Sequence, residues 1–423
     1  MSANGKVNKK VVISGMLGNG LEWYDYALYG QLAFVFADIF FPAGDEAFAR
    51  IMTLLIFAVG FIFRPIGAVL FGRIGDKFGR KKALVTSMLL MAGATGCLGL
   101  LPTYETIGIF APILLVVIRI IQGLSLGGAF SGSMSYVVEH APNNKRALVG
   151  SSTILSLVIG FLLGSVVATL VSSMMSHEEF HDWGWRLPFF FGVLIGFVGY
   201  YIKEHGEESP AFEEAKASGN LSTRPVRDAF TIYRVKMFQG FSFYMFVTLP
   251  FYCIAIYFIG YSKTHLGLAQ DEALQINSLA MLAMALPIVP AAYFADKIGR
   301  KKVLLSAIFV TAIALYPAFK LMQSGEYLDV AIGQCILAFL NGWYIAAIPA
   351  LLVELFPTRV RYTGMSLSYN FCAILGGFTP AISEFMIEQT GSNLSIMSIF
   401  IVTGIASFIA LWFYKDDWHK PLA

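Results

Sequence analysis

Long apolar runs follow one another along the whole chain, and they constrain its fold more than any motif does. Of the 423 residues, 57% are hydrophobic and 13% are charged, whereas a soluble domain carries roughly 25% charged residues. A helix that crosses a bilayer needs about 20 mostly apolar residues, because its backbone polar groups must be satisfied within the segment. The chain is therefore predicted to be an all-α membrane protein with many crossings.

Twelve membrane-spanning helices are predicted from these runs. They cover residues 11–41, 51–74, 82–101, 107–138, 148–172, 186–203, 235–261, 272–294, 302–321, 328–353, 364–387 and 392–414, and they are numbered helix 1 to helix 12. An even number places both termini on one side, and 24 of the 30 Lys and Arg residues fall in segments on that side. Positive charge collects in cytoplasmic loops, so both termini are expected in the cytoplasm, with the chain in the inner (cytoplasmic) membrane.

A polar stretch over 204–234 separates two six-helix halves. It is too short for a catalytic domain, and a cytoplasmic linker with a short helix near 210–217 is expected. The predicted organisation is thus an N-terminal bundle over 1–203, a linker over 204–234 and a C-terminal bundle over 235–423. The first helix is expected to remain as an anchor, because its apolar run is too long for a cleavable signal.

The two halves repeat each other's loop motifs. "GRIGDKFGRKK" (72–82) follows helix 2 and "ADKIGRKK" (295–302) follows helix 8, while "EHAPNNKR" (139–146) follows helix 4 and "ELFPTRVR" (354–361) follows helix 10. The aspartates of the first pair lie 220 positions apart and the glutamates of the second pair 215. Two motif pairs at nearly one offset indicate a duplicated six-helix unit.

With these repeats the chain resembles the major facilitator superfamily over its whole length. "GNGLEWYDYALYG" (18–30), "FIFRPIGAVLFGRIGDKFGRKK" (61–82), "RIIQGLSLGG" (119–128) and "EESPAF" (207–212) are similar to the metabolite:proton symporters, among them proline/betaine, citrate, 2-oxoglutarate and shikimate carriers. The resemblance implies two pseudo-symmetric six-helix bundles and proton-coupled import of a small organic carboxylate or zwitterion by alternating access. It also implies a monomer driven by the proton gradient, with no cofactor or metal.

Three other functions stay open: a sugar or polyol symporter, a drug or metabolite efflux antiporter, and a nutrient receptor that does not transport. The Gln-rich signature of sugar porters on helix 7 is represented only by Gln239, and Ser165 replaces the proline of the efflux motif on helix 5. An enzyme is not expected: an intramembrane hydrolase built on "FSGSMS" (130–135) would need a base at the same depth, and all six histidines lie in loops, the tail or helix ends. The basic loops suit anionic lipid headgroups rather than nucleic acid.

Four ionisable residues fall deep in predicted helices: Glu22 and Asp25 on helix 1, Arg64 on helix 2 and Arg119 on helix 4. Each would cost roughly 2.5–3.5 kcal/mol at the bilayer centre, so we expect them to line a water-accessible pathway or to pair with each other. The acids are candidates for proton coupling, and the arginines for binding a substrate carboxylate. The alternatives are an ion pair that joins helices 1 and 4, and an Arg64 that reaches out to the loop.

Other polar or aromatic side chains at helix depth are candidates for lining the substrate cavity, although packing explains such residues equally well. They are Tyr26, Tyr29, Gln122, Tyr244, Asn277, Asn341, Tyr344, Tyr369 and Asn370. Tyr252 and Trp343 are candidates for the same role.

The repeated loops also predict a cytoplasmic gate. Its members are Asp76 and Arg80 with Glu139 and Arg146, mirrored by Asp296 and Arg300 with Glu354 and Arg361. Ion pairs near water are weak singly, so such a network can bias the closed state and still open. The alternative is that the basic residues only fix the topology.

Small residues and prolines complete the pattern. Gly123, Gly127 and Ser131 form one small-residue stripe on helix 4, and Gly160 and Gly164 another on helix 5, which predicts close helix contacts. Prolines at 250, 287, 290, 349 and 380 are expected to kink helices of the second half.

Overall fold

The computed structural model describes residues 9–41, 46–193, 197, 200–201, 208, 210–219 and 224–422, and within these residues it contains helices but no β-strand. Most of the predicted helix 6 beyond position 193, and the linker positions 204–207, 209 and 220–223, lie outside the described residues. Nine helical spans of the described part are long and apolar enough to cross a membrane.

Helices of the first half begin and end close to the predicted positions. Helix 1 comprises Lys9–Gln31 and Ala33–Phe40, helix 2 Glu46–Phe78, helix 3 Arg80–Gly99, helix 4 Phe110–Glu139 and helix 5 Arg146–Ser173, and helix 6 starts with Leu187–Gly192. Short helices Tyr104–Ile107 and His177–Asp182 lie in the connections. A turn at Leu32 divides the predicted helix 1 into two segments.

The second half also has six helices, and more of them are interrupted. Helix 7 comprises Arg234–Tyr252, a π-helical turn Cys253–Tyr257 and Phe258–Thr264; helix 8 Gln270–Ala285 and Ile288–Ile298; helix 9 Arg300–Met322; helix 10 Tyr327–Ile345 and Ile348–Leu355; helix 11 Arg361–Thr390; and helix 12 Met397–Phe413. The linker carries the helices Pro210–Ala217 and Pro225–Thr231. The first of these confirms the predicted linker helix.

Proline explains three of the interruptions in the second half. Pro250 precedes the π-helical turn of helix 7, Pro287 lies in the break of helix 8, and Pro349 opens the second segment of helix 10. A proline lacks the N–H that would continue the backbone ladder, so the chain breaks or rewinds nearby. Pro290 and Pro380, in contrast, lie inside continuous helices, so their predicted kinks do not interrupt the helix.

The two halves meet along long helix–helix contacts. Helix 2 packs against helix 11, and helix 5 packs against helices 8 and 10. Within the first half, helix 1 packs on helix 5 and helix 2 on helix 4. Helices 2, 4, 5, 8, 10 and 11 therefore form the junction between the halves.

Glycines allow the contacts inside the first half to be as close as predicted. A Cβ on Gly123 would overlap the carbonyl oxygen of Gly60, and a Cβ on Gly127 would overlap that of Arg64. On helix 5, a Cβ on Gly160 would overlap the carbonyl oxygen of Gly20. Because the opposing atoms belong to backbone, no side-chain rotation can make room.

This packing predicts that Gly127→Ala lowers the thermal stability of the purified protein in detergent. The added methyl must displace the backbone at Arg64, and overpacking of this kind costs about 1–3 kcal/mol. Gly93→Ala is the matched control, because Gly93 is exposed on helix 3 with no atom near its added methyl, and it receives the same gain in helix propensity. Equal melting temperatures for the two variants would contradict the close contact.

Candidate transport site and gate

One end of the molecule carries the repeated loop motifs and is called the gate face here; it holds the ends of helices 2, 4, 8 and 10. The first gate cluster consists of Asp76, Arg80, Glu139 and Arg361. Arg80 Nη1 lies 2.6 Å from Asp76 Oδ1, and Arg361 Nη1 lies 2.8 Å from Glu139 Oε1. Arg80 Nε is 3.7 Å from the same glutamate oxygen. All four side chains are buried, so the cluster is a continuous internal ion network.

The second gate cluster repeats this arrangement with Asp296, Arg300, Glu354 and Arg146. Arg300 Nη1 lies 3.0 Å from Asp296 Oδ1, and Arg300 Nη2 lies 2.9 Å from Glu354 Oε1. Arg146 Nη1 is 3.4 Å from that glutamate oxygen. The sequence grouped Arg146 with the first cluster and Arg361 with the second; the structure exchanges them, so each arginine pairs with a glutamate of the other half.

Both gate aspartates also bind a helix start in the opposite half. Asp76 accepts hydrogen bonds from the N–H groups of Tyr362 and Thr363, at 3.2 and 3.0 Å, where helix 11 begins. Asp296 accepts from Ala147 and Leu148, at 3.0 and 2.8 Å, where helix 5 begins. The first N–H groups of a helix lack partners and carry partial positive charge. Each aspartate therefore holds the two halves together at the gate face.

The linker contributes to the first gate cluster. Glu208 accepts hydrogen bonds from the backbone N–H of Arg80 at 2.8 Å and of Lys81 at 3.2 Å. The ring of Phe212 lies 5.5 Å from the guanidinium carbon of Arg80. An acid thus caps helix 3 while an aromatic ring covers the gate arginine.

The C-terminal tail likewise supplies a capping acid and an aromatic ring to the second gate cluster. Asp416 accepts a hydrogen bond from the Lys301 N–H at 2.8 Å, and the ring of Trp418 lies 5.5 Å from the guanidinium carbon of Arg300. Arg146 of the first half donates to the Lys420 carbonyl at 2.8 Å. Burial raises the pKa of the Asp416 carboxyl, an effect that the Lys301 N–H and nearby Arg300 partly oppose. Sequence reasoning missed both caps, although an acid followed by an aromatic residue after the last helix of each half was a visible signal.

Arg64 lies at the interface between the halves, away from the gate. Its side chain is fully buried, with the guanidinium carbon 4.2 Å from the centre of the Phe61 ring and 4.7 Å from that of Tyr26. Nη1 donates to the Tyr369 hydroxyl of helix 11 at 3.3 Å. Among the described residues it makes no ion pair, and Glu22 acts on it only at longer range. The alternative that Arg64 reaches out to the loop was wrong.

Asp25 and Arg119 belong to a second network, which lies inside the first half. Gln122 bridges them: its Oε1 accepts from Arg119 Nη1 at 2.7 Å, and its Nε2 donates to Asp25 Oδ2 at 2.8 Å. Arg119 stacks on Tyr29, with the guanidinium carbon 3.6 Å from the ring centre. Asp25 Oδ1 has no hydrogen-bond partner among the described side chains. A carboxylate with one open oxygen can take up a proton without dismantling this network.

Tyr26 connects the two networks. Its ring centre is 4.7 Å from the guanidinium carbon of Arg64 and 5.4 Å from that of Arg119. A cation near an aromatic face is stabilised by the ring quadrupole, so one ring contributes to the burial of both arginines. A change of charge on either side of Tyr26 therefore acts on the other side over a short distance.

A small cavity of about 20 Å³ lies between the halves beside Arg64. Its lining residues are Trp23, Leu157, Tyr244, Val247, Thr248, Phe251, Tyr252, Ile345 and Tyr369. This volume holds about one water molecule. Glu22, Asp25, Arg64 and Arg119 are each at most 1% exposed, so the expected water-accessible pathway is closed in this conformation.

Several predicted cavity residues instead fasten helices to each other. Asn277 donates to the Ile254 carbonyl at 2.8 Å, Asn341 to that of Phe246 at 3.4 Å, and Tyr344 to that of Phe243 at 3.1 Å. These bonds tie helices 8 and 10 to helix 7, and none of the three residues lines the cavity. Backbone carbonyls thus engage the donor groups of all three residues, whereas the Oδ1 atom of Asn341 has no hydrogen-bond partner among the described residues. Their role in substrate binding stays a prediction.

Asn370, also predicted to bind substrate, joins the two halves. It donates to the Gly127 carbonyl of helix 4 at 2.8 Å. Of the predicted set, Tyr244, Tyr252 and Tyr369 line the cavity, while Arg64 borders it through Tyr369.

The geometry agrees with what the chain is similar to. Residues 11–224 match the family described as Sugar (and other) transporter, and residues 237–422 match the Major Facilitator Superfamily. A proline/betaine transporter of Escherichia coli K12 is 30% identical over 98% of this chain and 85% of its own length. A glycine betaine/proline/ectoine/pipecolic acid transporter of Dickeya dadantii is 30% identical over 98% of this chain and 84% of its own length.

A solved structure shows the same fold. The proton:xylose symporter XylE, bound to 6-bromo-6-deoxy-D-glucose, superposes with a TM-score of 0.82 at 20% identity, covering 97% of both chains.

Two helical halves that close on a central cavity, held at one end by exchanged ion pairs, define a membrane transporter of small molecules rather than an enzyme. The chain belongs to the major facilitator superfamily, within its metabolite:proton symporter family, and is a multi-pass protein of the cell membrane.

The exchanged ion pairs predict that Arg361→Ala opens the gate face. The substitution leaves the buried Glu139 without its partner from the other half, and breaking a buried pair in this way costs about 3–5 kcal/mol. Spin labels at exposed positions 144 and 302, in a chain whose four cysteines are replaced by serine, report the distance between the halves.

We expect a longer distance component in Arg361→Ala and none in Arg73→Ala, which removes the same charge from an exposed site on helix 2. An unchanged distance distribution in Arg361→Ala would show that the pairs do not hold the gate.

Proposed function

We propose that the chain imports a small organic carboxylate or zwitterion together with protons, by alternating access between its two halves. The observation that carries this proposal is Arg64, a fully buried cation at the junction of the halves that makes no ion pair among the described residues. Leaving a charge buried and unpaired is expensive. A substrate carboxylate is the partner whose binding would remove that cost.

Arg64 suits a carboxylate because its planar guanidinium can donate two parallel hydrogen bonds. Its direct contacts are phenols and rings, and Glu22 acts on it only at longer range, so a bound carboxylate meets little competition for its hydrogen bonds. Because Tyr369 of the second half and Tyr26 of the first half both contact Arg64, separation of the halves exposes the site first to one side and then to the other. The relatives named as proline/betaine transporters support a substrate of this chemistry.

Asp25 is the favoured proton carrier, and Glu22 is the second candidate. Asp25 is fully buried, has one open oxygen, and is connected to Arg119 through Gln122. Its protonation would change the charge on the Arg119 side of Tyr26, while substrate would change the charge on the Arg64 side. Glu22 lies on the Arg64 side, within electrostatic reach of that guanidinium. The proton gradient then serves as the only driving force, with no cofactor.

The distribution of basic loops supports an orientation with the gate face and both termini in the cytoplasm. With the gate clusters joined, the conformation described here is closed to that side. Import then requires the clusters to separate after substrate and proton have entered from the opposite face. A single chain contains both halves of the site, which favours a monomer as the working unit.

Asp25→Asn is expected to abolish accumulation driven by an imposed pH gradient in proteoliposomes, because the amide cannot carry a proton. Exchange of labelled for unlabelled substrate across the membrane, which needs no net proton movement, should persist. Asp38→Asn is the matched control on the same helix, since the Asp38 side chain is 64% exposed. Full gradient-driven uptake by both Asp25→Asn and Glu22→Gln would contradict the assignment of the proton carrier to these two residues.

Arg64→Gln should weaken binding of carboxylate substrates by about 10- to 100-fold, because a charge-assisted hydrogen bond contributes about 1.5–3 kcal/mol. Substrates are first identified by thermal stabilisation of the purified protein against mono-, di- and tricarboxylates, betaines, amino acids and sugars. Arg186→Gln, at the partly exposed connection before helix 6, is the control. A substrate that binds Arg64→Gln at native strength does not use this arginine.

A further inference from the structure

A pocket of about 180 Å³ lies within the second half, between helices 7, 9 and 12, and it is called the lateral pocket here. It shares no lining residue with the cavity beside Arg64. Of the described residues that line it, Thr311 is the only polar one, and the others are apolar or glycine. We propose that the lateral pocket binds a small neutral lipophile, a ring with a short alkyl group, whose single oxygen forms a hydrogen bond with Thr311.

The lateral pocket reaches the outer surface of the second half. Four of its lining residues are buried, namely Phe246, Ile308, Leu315 and Phe400. Ile401 and Ile405 of helix 12 also line it, and both are exposed. Because the exposed face of a membrane-spanning helix meets hydrocarbon, a ligand enters this pocket from within the bilayer rather than from water.

The volume of the pocket sets the size of its ligand. A Cβ on Gly404 would lie 3.3 Å from the Phe246 ring, so a larger residue at this position would occupy part of the space. An apolar cavity of about 150 Å³ stays free of water and takes up benzene. The lateral pocket is slightly larger and similarly apolar, so it fits an aromatic ring that carries a short alkyl group.

Thr311 sets the polarity of the ligand. Its side chain is 6% exposed, and its hydroxyl has no hydrogen-bond partner among the described residues. By contrast, Thr379 and Thr403, buried in helices 11 and 12, donate to carbonyl groups of their own helices at 3.1 and 2.7 Å. Buried hydroxyls are normally satisfied, and an unsatisfied one is costly in an apolar environment. A lipid acyl chain offers no partner, whereas a hydroxyl or carbonyl oxygen on the ligand does.

The depth of Thr311 favours a neutral ligand. The residue lies midway between the ends of helix 9, Arg300–Met322, and about 16 Å from either end at 1.5 Å per residue. A charge near the middle of a bilayer is costly unless it is paired. Among the described residues that line the pocket, none is charged, so a charged ligand would find no counter-ion there.

Helix 7 separates the lateral pocket from the cavity beside Arg64. Phe246 lines the lateral pocket, and the next residue, Val247, lines the cavity beside Arg64. The Phe246 ring also meets the Tyr344 ring of helix 10 edge to face, with centroids 4.9 Å apart. A ligand in the lateral pocket therefore contacts the helix that borders the proposed substrate site, without occupying that site.

The test compares 3-ethylphenol with 3-ethyltoluene, which has nearly the same shape but a methyl group in place of the hydroxyl. The purified full chain is held in phosphatidylcholine nanodiscs, and apparent affinities are taken from the rise of its melting temperature with ligand concentration. Because the two probes partition differently into lipid, the ratio of their affinities is compared between proteins. Ala312→Leu, which fills the pocket from an exposed lining position, is the blank.

We expect the affinity ratio of phenol to hydrocarbon to be about 2- to 10-fold higher in the native chain than in Thr311→Val, because one neutral hydrogen bond contributes a factor of this size. Thr311→Ser, which keeps the hydroxyl, should retain the native ratio. Thr403→Val is the matched control, since the Thr403 hydroxyl is bonded within helix 12 and the residue does not line the pocket. If Thr311→Val does not fold, Thr311→Ala replaces it with the same expectation.

Two results would overturn the proposal. An affinity ratio that Thr311→Val leaves unchanged would show that the hydroxyl does not bind the ligand, and equal stabilisation of Ala312→Leu and the native chain would show that the probes act through the lipid alone. None of these measurements uses transport. A failure of proton-driven uptake would therefore leave the lateral pocket standing, and an unoccupied lateral pocket would leave the proposed function standing.

Discussion

A charge buried in a membrane protein must be neutralised, hydrogen-bonded or covered by polarisable groups where it lies, because hydrocarbon cannot solvate it. This constraint organises the whole interior. At the gate face, eight charged side chains neutralise one another in two clusters, each with one ion pair between the halves, and two of them also cap helix starts in the opposite half. In the centre, Arg119 is linked to Asp25 through Gln122, while Arg64 is covered mainly by rings. The charge of Arg64 is only partly compensated, so this is the position at which a bound ligand would most reduce the cost of burying a charge.

The twelve helices, the duplicated loops and the depth of the charges were predictable because each follows from local sequence. Apolar length sets a crossing, and a motif repeated after corresponding helices sets the pseudo-symmetry. The partners of each charge were not predictable. Glu22 and Asp25 are three residues apart, so their side chains diverge by only about 60° around helix 1. That angle is enough to turn the Glu22 side chain toward the interface between the halves and the Asp25 side chain into the first half. Which residue takes which direction depends on the packing of helices 2, 4 and 11.

The exchange of gate arginines illustrates the same limit. Glu139 and Arg146 stand seven residues apart in one motif, and the local pattern favours a pair within one half. In the folded chain the break between helices 4 and 5 directs Arg146 toward Glu354, while Arg361 enters the first cluster from helix 11. Because each of these arginines pairs with a glutamate of the other half, two motifs that look local in the sequence form a contact between the halves. Proline breaks in helices 7, 8 and 10 were more accessible to prediction, since the loss of a backbone donor is a property of the residue itself.

The tail contact at the second gate cluster has a practical consequence. Trp418, one of six tryptophans in the chain, lies over Arg300 and is anchored on either side by Asp416 and by the Lys420 carbonyl. When Arg146 moves away with the first half, the tail loses its attachment at the Lys420 carbonyl, two residues from Trp418, while Arg300 of the second half stays beside the indole. Indole emission responds to such a change in its surroundings, so the molecule carries an intrinsic optical reporter of its own cycle at the point where its two halves part.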